Sequence, residues 1–387
     1  MTDLRESEPR LAPEREPAAA NLEGAVQGSA IVYRLFDVGY EILLDRVLEL
    51  LAPSSPERPG PTRVEAQAIQ IKNPPVQVSL GYDDLRIADA GYRAEMFARV
   101  FDFGVVSLRL RIDPPLGITW RDFSRFGSLV SVAGLAPVFD RHLESFLQRI
   151  RPAVVRPVLA RVTEDYVVFR VDRLPSPGGE DAATTGIADE EIVPLLLNER
   201  RPLSDDARRE LLPHRFSYYP DDLAILTWNN ALVVEPAADD TDIQYVLEFA
   251  NAQLLELRVY DALLDDELPN IYDRVSALRA KTGVLKPRYA RMLADLQTLV
   301  ADSTELVERA ENALKVTDDV YLARVYSAAM EIFRGREWRK GIDRKLQIIR
   351  ETYEMLNAES QAFRAEVLEL AIVILIVAEI VLSLVRQ

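Results

Sequence analysis

The sequence predicts an α+β head domain followed by an all-α antiparallel helical hairpin or coiled-coil stalk and one C-terminal transmembrane helix. Strand-like and helix-like segments are mixed without strict alternation between residues 30 and 236, which is typical of an α+β domain. From Ile243 onward, apolar residues recur at alternating spacings of four and three, as in a coiled-coil seam. From Leu370 to Val385, only Glu379 and Ser383 are polar, so that helix is apolar on all sides.

Composition limits the classes of protein to which this chain can belong. Its 387 residues include no cysteine and only two histidines, and the formal net charge is −16. The absence of cysteine excludes disulfides, thiolate metal sites and cysteine nucleophiles, and two histidines disfavour a multi-histidine metal centre. The acidic charge disfavours bulk binding of nucleic acid. Residues 1–29 combine acids with Pro and Ala, which predicts a disordered acidic tail rather than an export signal.

The head, residues 30–236, begins with β-branched and aromatic residues. It then shows apolar residues with the two-residue period of strands and with the 3.6-residue period of helices. Strands are predicted at 30–38, 92–103, 105–112 and 166–171, and helices at 41–51, 120–132 and 137–150. In Val105–Ile112 the alternation of apolar residues with Ser107, Arg109 and Arg111 predicts a sheet with one wet face. Three short apolar runs follow Pro213, and Asn229–Asn230 between the last two suits a tight hairpin.

The stalk, residues 240–366, is predicted from its heptad spacing. The seam that starts at Ile243 continues to Leu278 and is broken only by Asp261. Further helices are predicted at 289–314 and 320–333, and a last helix carries a second seam from Leu346. Because short connections favour antiparallel neighbours, we expect a helical hairpin bundle.

The final segment, residues 367–386, is predicted to be a C-terminal membrane helix with the bulk of the chain on the cytoplasmic side. Sixteen residues, Leu370 to Val385, span roughly 24 Å at about 1.5 Å per residue, against a hydrocarbon core of roughly 30 Å. A helix buried in an oligomer is therefore the alternative. Glu379 would be costly in lipid, so it is expected to contact another helix, or else to be a tolerated polar residue near the far interface.

Catalytic signatures are absent from the sequence, and no cofactor, metal site or catalytic residue is predicted. Neither a P-loop, a dinucleotide fingerprint, a serine-hydrolase elbow nor a calcium loop is present. Asp221 and Asp222 form an acidic pair that could bind Mg²⁺ or act as acid and base. Adjacent aspartates at the start of a strand are more typical of a turn.

Two groups of basic residues interrupt the acidic background. One group, in the head, consists of Arg141, Arg149, Arg151, Arg156 and Arg161. The other, near the start of the last helix, consists of Arg334, Arg336, Arg339, Lys340, Arg344, Lys345 and Arg350. Either group could meet RNA, an acidic partner or anionic lipid. The alternative is pairing with the acidic helix between Asp240 and Asp273, which carries nine acids and one arginine, Arg258, with Arg274 directly after it.

Three segments together resemble a known family. They are Phe216–Trp228, Val246–Tyr260 and the stretch from Tyr353 to Leu382, and they resemble the family named for the protein required for meiotic nuclear division, a domain of unknown function. The resemblance covers residues 215 to 385. It implies a membrane protein without established enzymatic activity, whose mitochondrial members are associated with the inner membrane and with support of organellar translation, as oligomers.

The leading hypothesis is a non-enzymatic, tail-anchored membrane scaffold that self-associates through its stalk and presents a partner-binding head. Its partners would be membrane lipid, a second copy of the chain and a protein. The partner-binding candidates are Phe216, Tyr218, Asp221, Asp222, Trp228, Asn251, Gln253 and Glu256. Two alternatives remain: a translation-support factor associated with RNA or the ribosome, which is not favoured, and a metal-dependent enzyme using Asp221 and Asp222.

Overall fold

The fold is known from a computed structural model. The structure describes residues 25–57, 73–173, 189–199, 201–236, 242–280 and 320–385, together with 294, 298 and 301. The predicted N-terminal tail up to residue 24 and most of the predicted helix at 289–314 lie outside the described residues.

An eight-stranded sheet forms the centre of the head. Its strands are β1 (Gln27–Asp37), β3 (Val76–Ile87), β4 (Ala90–Val100), β5 (Val105–Ile112), β7 (Thr163–Arg173), β8 (His214–Phe216), β9 (Leu223–Leu226) and β10 (Asn230–Val234). Their order across the sheet is β3-β4-β5-β1-β7-β10-β9-β8. Only the β7–β10 pair is parallel, and the other neighbours in this sheet are antiparallel. β2 (Gly39–Ile42) and β6 (Val154–Pro157) form a separate two-stranded ribbon.

Helices cover both faces of the sheet. They are α1 (Leu44–Leu51), α2 (Trp120–Ser131), α3 (Ala136–Ile150), α4 (Asp189–Leu196), α5 (Asp205–Leu211), α6 (Asp242–Ala280), α7 (Val320–Ile332) and α8 (Gly335–Val385). Side chains alternate across a strand, so Val32 and Phe36 of β1 pack with α1 to α4 while Tyr33 and Leu35 pack with α6 and α7. This arrangement buries almost the whole of β1.

Several predicted elements are confirmed. The predicted α+β head followed by helices is observed, and β9 and β10 form the antiparallel hairpin expected from Asn229 and Asn230. Gly104, between β4 and β5, adopts a φ of +98°, and a Cβ there would lie 1.9 Å from the carbonyl oxygen of Gly39. Glycine is therefore required where this connection approaches the end of β1.

The predicted wet face of β5 is wrong. Ser107 and Arg109 are buried, because α6 lies across that face of the sheet. The guanidinium of Arg109 stacks over the ring of Phe97, its partner on the adjacent strand β4, at 4.7 Å. The alternation indicated the two faces of the strand correctly, but a segment more than 130 residues away decides whether the second face is covered.

The two predicted seams pack against each other. Leu257, Leu264 and Ile271 of α6 form one apolar cluster with Ile342, Leu346 and Ile349 of α8. Asp261, which interrupts the α6 seam, lies 2.7 Å from Lys345 Nζ, and Asp265 lies 2.6 Å from the same atom. The predicted pairing of basic residues with the acidic helix is thus observed at Lys345.

Helices α6 and α8, which are not consecutive in the chain, run parallel to each other. Arg258 of α6 meets Trp338 of α8, and further along both helices Asp261 meets Lys345. Because the residue numbers of the contacting residues rise along both helices, the two helices run parallel. The segment that brings the chain back between α6 and α7 is mostly outside the described residues. The stalk seam is therefore filled within one chain as far as Ile349, and self-association through it stays a prediction.

The last part of α8 leaves the body of the protein. Every residue from Ala371 to Ile380 is exposed. In the described part of the chain, no helix combines the length and the hydropathy needed to cross a membrane. The predicted transmembrane span is accordingly not supported by the structure.

Candidate functional site

Aromatic side chains gather where the sheet ends at β8. Phe216 closes β8, Tyr218 and Tyr219 lie in the turn that leads to β9, and Trp228 lies in the β9–β10 hairpin. We call these four residues the aromatic edge. They lie along this edge of the sheet, with Tyr218 and Trp228 beside opposite ends of helix α7.

Helix α7 supports the aromatic edge along its length. The ring of Tyr218 lies 5.3 Å from that of Tyr321, near the start of α7. The ring of Trp228 lies 6.3 Å from that of Phe333, just after its end. The outer sides of the tyrosines and of Trp228 stay open, with 47 to 58% of each residue exposed.

Two arginines complete this surface. The guanidinium of Arg324 lies 6.0 Å from the ring centroid of Phe216, and that of Arg334 lies 5.9 Å from the ring centroid of Trp228. Exposed aromatic rings attract such cations by about 0.5–1 kcal/mol. Tyr, Trp and Arg are the residue types that carry most of the binding energy at protein interfaces.

The acidic pair Asp221 and Asp222 lies in the turn between β8 and β9. Asp222 is buried, and its Oδ1 accepts a hydrogen bond of 2.7 Å from the backbone N–H of Tyr218. Asp221 is exposed beside it. Within the described residues, no group of three or more acidic or histidine side chains is placed to hold a metal ion. The structure thus gives Asp222 the role of fixing the turn that carries the tyrosines.

Three predicted partner-binding residues lie elsewhere. Asn251, Gln253 and Glu256 of α6 are buried, and Gln253 Oε1 accepts a hydrogen bond from the Tyr326 hydroxyl of α7 at 3.0 Å. Asn251 donates to the carbonyl of Leu247 in its own helix. Because the sheet and α7 enclose these side chains, they do not belong to the exposed surface.

A buried ion pair connects α6 to the sheet. The Glu248 carboxylate and the Arg99 guanidinium of β4 are hydrogen-bonded and both are buried. Arg99 also donates to Gln77 Oε1 at 2.6 Å and stacks over the ring of Tyr245 at 5.0 Å. A buried charge needs such a set of partners because removing it from water is costly.

A second buried contact between the sheet and α6 involves two carboxyl groups. Asp37, at the end of β1, and Glu256 of α6 are both buried and are hydrogen-bonded to each other. Burial raises the pKa of Asp37 to about 7, although the Gly39 N–H donates to it. Burial and the Asp37 charge raise the pKa of Glu256 well above its usual range. At neutral pH such a pair is stable when it holds a proton.

Arg99, Glu248 and Asp37 are missing from the residues singled out in the sequence. A signal exists for two of them: Arg99 interrupts the apolar run of β4, and Glu248 interrupts the apolar start of α6. A lone charge in a segment apolar on both sides indicates a buried pair, although not its partner.

The predicted basic residues have mixed surroundings. Arg149 donates to Ser54 Oγ at 2.6 Å, and Arg156 stacks over Tyr40 at 4.9 Å. Arg151 is exposed beside a cavity. In the second group, Arg336 lies 4.0 Å from Glu331. Arg339 is half-buried, and Lys340 is exposed.

Comparison with known proteins concerns the head. The sequence profile of the family described as "Uncharacterized protein MJ0711, N-terminal domain" matches residues 27–241, which run from the start of β1 past the end of β10. The chain belongs to this family. The MJ0711 N-terminal domain therefore corresponds to the whole described sheet, including the strands that carry the aromatic edge. These comparisons support a domain of unknown function but not the family required for meiotic nuclear division.

A relative with this domain is the Uncharacterized protein MJ0711 of Methanocaldococcus jannaschii. It is 28% identical over 195 residues, which is 50% of this chain and 59% of the relative. The chain thus spans less than two thirds of the relative's length. No solved structure matches the chain.

Proposed function

We propose that this chain is a non-enzymatic interaction protein attached to a membrane by the apolar end of α8. The head and its aromatic edge would lie on the cytoplasmic side, where they would bind a protein partner. The observation that carries the proposal is the exposed stretch from Ala371 to Ile380, in which Glu379 is the sole charged residue.

The distribution of apolar side chains around α8 favours lipid as the surrounding medium. The six consecutive residues from Ile372 to Val377 are each 49 to 69% exposed. Six residues cover about one and two-thirds helical turns, so all sides of the helix are apolar. A protein partner would cover one stripe of such a helix, whereas acyl chains surround it. Burying each side chain contributes about 1.5–3 kcal/mol.

Glu379 gives the proposed anchor a second property. A carboxylate within lipid costs about 2.5–3.5 kcal/mol on insertion scales unless it is neutral or paired. We therefore propose that Glu379 meets a helix of a second copy of this chain. This contact would supply the self-association, because the α6–α8 seam is filled within one chain as far as Ile349.

Flotation of the full chain with uncharged phosphatidylcholine vesicles tests the anchor. We expect the protein to float, and Ile374→Lys/Ile376→Lys to reduce its partition about a thousandfold or more, since each central lysine costs about 2.5–3.5 kcal/mol. The matched control places the same charges at Leu116 and Val132, which are exposed elsewhere. An unmodified chain that stays unbound, or a double-lysine chain that floats equally well, would contradict the proposal.

The aromatic edge should carry the protein contact. Trp228→Ala and Tyr218→Ala should each weaken capture of a specific partner from detergent extract by the full chain, by about thirtyfold if they are hot spots worth about 2 kcal/mol. Quantification of captured proteins measures this. Tyr272→Ala is the control, since Tyr272 is similarly exposed on α6. Unchanged capture by both edge variants would exclude the edge as the binding surface.

A further inference from the structure

An apolar loop at the end of β1 is exposed between arginines. Val158 and Leu159 are 68% and 56% exposed. The loop is fixed, because the N–H of Val158 donates to the Val38 carbonyl at 3.1 Å and that of Ala160 donates to the Asp37 carbonyl at 3.0 Å. Its two large aliphatic side chains are thus presented to solvent by a backbone held at both ends. A binding partner that removed these two side chains from water would gain free energy from their burial.

A cavity of about 560 Å³ opens beside this loop. Its apolar lining includes Phe36, Leu143 and Leu147 together with the loop residues Val158 and Leu159. A volume of this size is in the range of pockets that bind small molecules or lipid chains. The polar groups of the lining come mainly from α3 and from Arg151.

The charges around the cavity are arranged by sign. Asp140 and Glu144 line the cavity from within α3, whereas Arg151 lines it just after α3 ends. Arg156 and Arg161 flank the apolar loop and are exposed. The loop side is therefore locally basic in a chain whose net charge is −16.

We propose that this basic apolar loop is a docking site for an anionic membrane lipid. The headgroup phosphate would be held by the arginines on the loop side, Val158 and Leu159 would enter the interface, and one acyl chain would occupy the cavity. The site goes beyond the proposed anchor, since it adds a charge-dependent lipid contact on the head. The choice of lipid rests in part on the proposed function, because a chain attached by α8 meets lipid at high local concentration.

RNA is the competing anionic partner, and the surface fits it less well. Single-stranded RNA is bound by stacking bases on exposed aromatic rings. The aromatic side chain at this site, Tyr40, already lies under the Arg156 guanidinium at 4.9 Å. Two exposed aliphatic side chains contribute nothing to phosphate binding, whereas they do contribute at a lipid interface.

The absence of cysteine allows a local test in the full chain. Leu159→Cys introduces a single cysteine for an environment-sensitive fluorophore. Leu116→Cys is the matched control, because Leu116 is fully exposed beyond Ile112, at the end of β5 opposite to the end that pairs with Asp37. We expect a blue shift at position 159, and none at 116, with vesicles containing phosphatidylserine. Brominated acyl chains in that lipid should quench the shifted signal.

Replacing the arginines on the loop side should increase the lipid concentration needed for the fluorescence shift at position 159. Arg151→Gln/Arg156→Gln/Arg161→Gln should raise the lipid concentration at half-maximal shift about a hundredfold, at about fivefold per arginine, and added salt should act in the same direction. The control replaces three exposed arginines elsewhere: Arg86, Arg121 and Arg125. An unchanged half-maximal concentration in the first variant would overturn the proposal.

The remaining outcomes separate this site from the anchor. An equal shift at 159 with uncharged vesicles, or with single-stranded RNA at matched phosphate concentration, would overturn the proposal of an anionic lipid. A chain that floats with uncharged vesicles but shows no shift at 159 on anionic ones retains its anchor and lacks the head site. A chain that does not float with uncharged vesicles, yet shifts at 159 on anionic ones, lacks the anchor and has the head site.

Discussion

Glu256→Gln should increase the free energy of unfolding at pH 8. Burial, and secondly the Asp37 charge, raise the pKa of Glu256 well above its usual range, so at pH 8 the folded protein holds a proton that the unfolded carboxyl group has released, and this lowers stability. The amide side chain has nearly the same shape as the carboxyl group, carries no charge, and can donate to Asp37. The unfavourable approach of two buried carboxyl groups would thus be replaced by a hydrogen bond.

The free energy of unfolding should decrease as the pH rises, because two buried carboxyl groups have raised pKa values. Because the folded pKa of Asp37 is raised, the folded protein holds a proton that the unfolded chain releases. The corresponding stability is fully present below about pH 4 and is lost as the pH rises toward about 7. The raised pKa of Glu256 extends the loss to higher pH. Urea unfolding at pH 5 and pH 8 measures this; identical pH dependence in the parent and in Glu256→Gln would contradict the carboxyl pair.

The same substitution at Glu248 should have the opposite effect. Glu248→Gln leaves the buried guanidinium of Arg99 without its counter-charge, and breaking a buried pair in this way costs about 3–5 kcal/mol. The urea midpoint should therefore fall. The double variant Arg99→Met/Glu248→Leu should recover most of the loss, because it removes both charges and retains apolar volume.

An exposed ion pair provides the control for Glu248. Arg46 and Glu49 are 2.5 Å apart and both are more than half exposed, so Glu49→Gln should change stability by no more than about 1 kcal/mol. The two buried glutamates lie on one helix, eight positions apart. If glutamine at both positions shifted the urea midpoint in the same direction, the assignment of an ion pair to one and a carboxyl pair to the other would be wrong.

Local patterns predicted the elements of the head well. The strand at Val105–Ile112 and the helices near Trp120 and Ala136 are observed close to their predicted limits, because periodicity and proline positions act within a few residues. The covering of the second sheet face could not be predicted this way. Ser107 and Arg109 look like a wet face until α6, which begins at Asp242, is placed over them.

The stalk shows a similar division. The heptad spacing predicted which residues are apolar contacts, and Leu257 and Leu346 are indeed in one cluster. Spacing does not state which helices pair or in which direction. Asp261 indicates which helix pairs with α6 only once its partner Lys345, 84 positions later, is known.

The candidate site was predicted in part. Phe216, Tyr218 and Trp228 each lie against helix α7 or the residue that follows it, and that they bind a partner stays a prediction. Asn251 and Glu256 appeared to belong to the same site, since polar residues on a helix usually face water. Here the first part of α6 is enclosed by the sheet and α7, so polar residues in it mark buried contacts instead.

The central claim is that lipid, and not protein, covers the apolar end of α8, and a fluorophore at position 376 tests it most directly. Ile376→Cys creates a single labelling site in the full chain. The account predicts a blue-shifted signal that appears only with vesicles, is insensitive to salt, and is quenched by brominated acyl chains of uncharged lipid. A signal already shifted without vesicles in an oligomeric protein, and unquenched after vesicles are added, would contradict it.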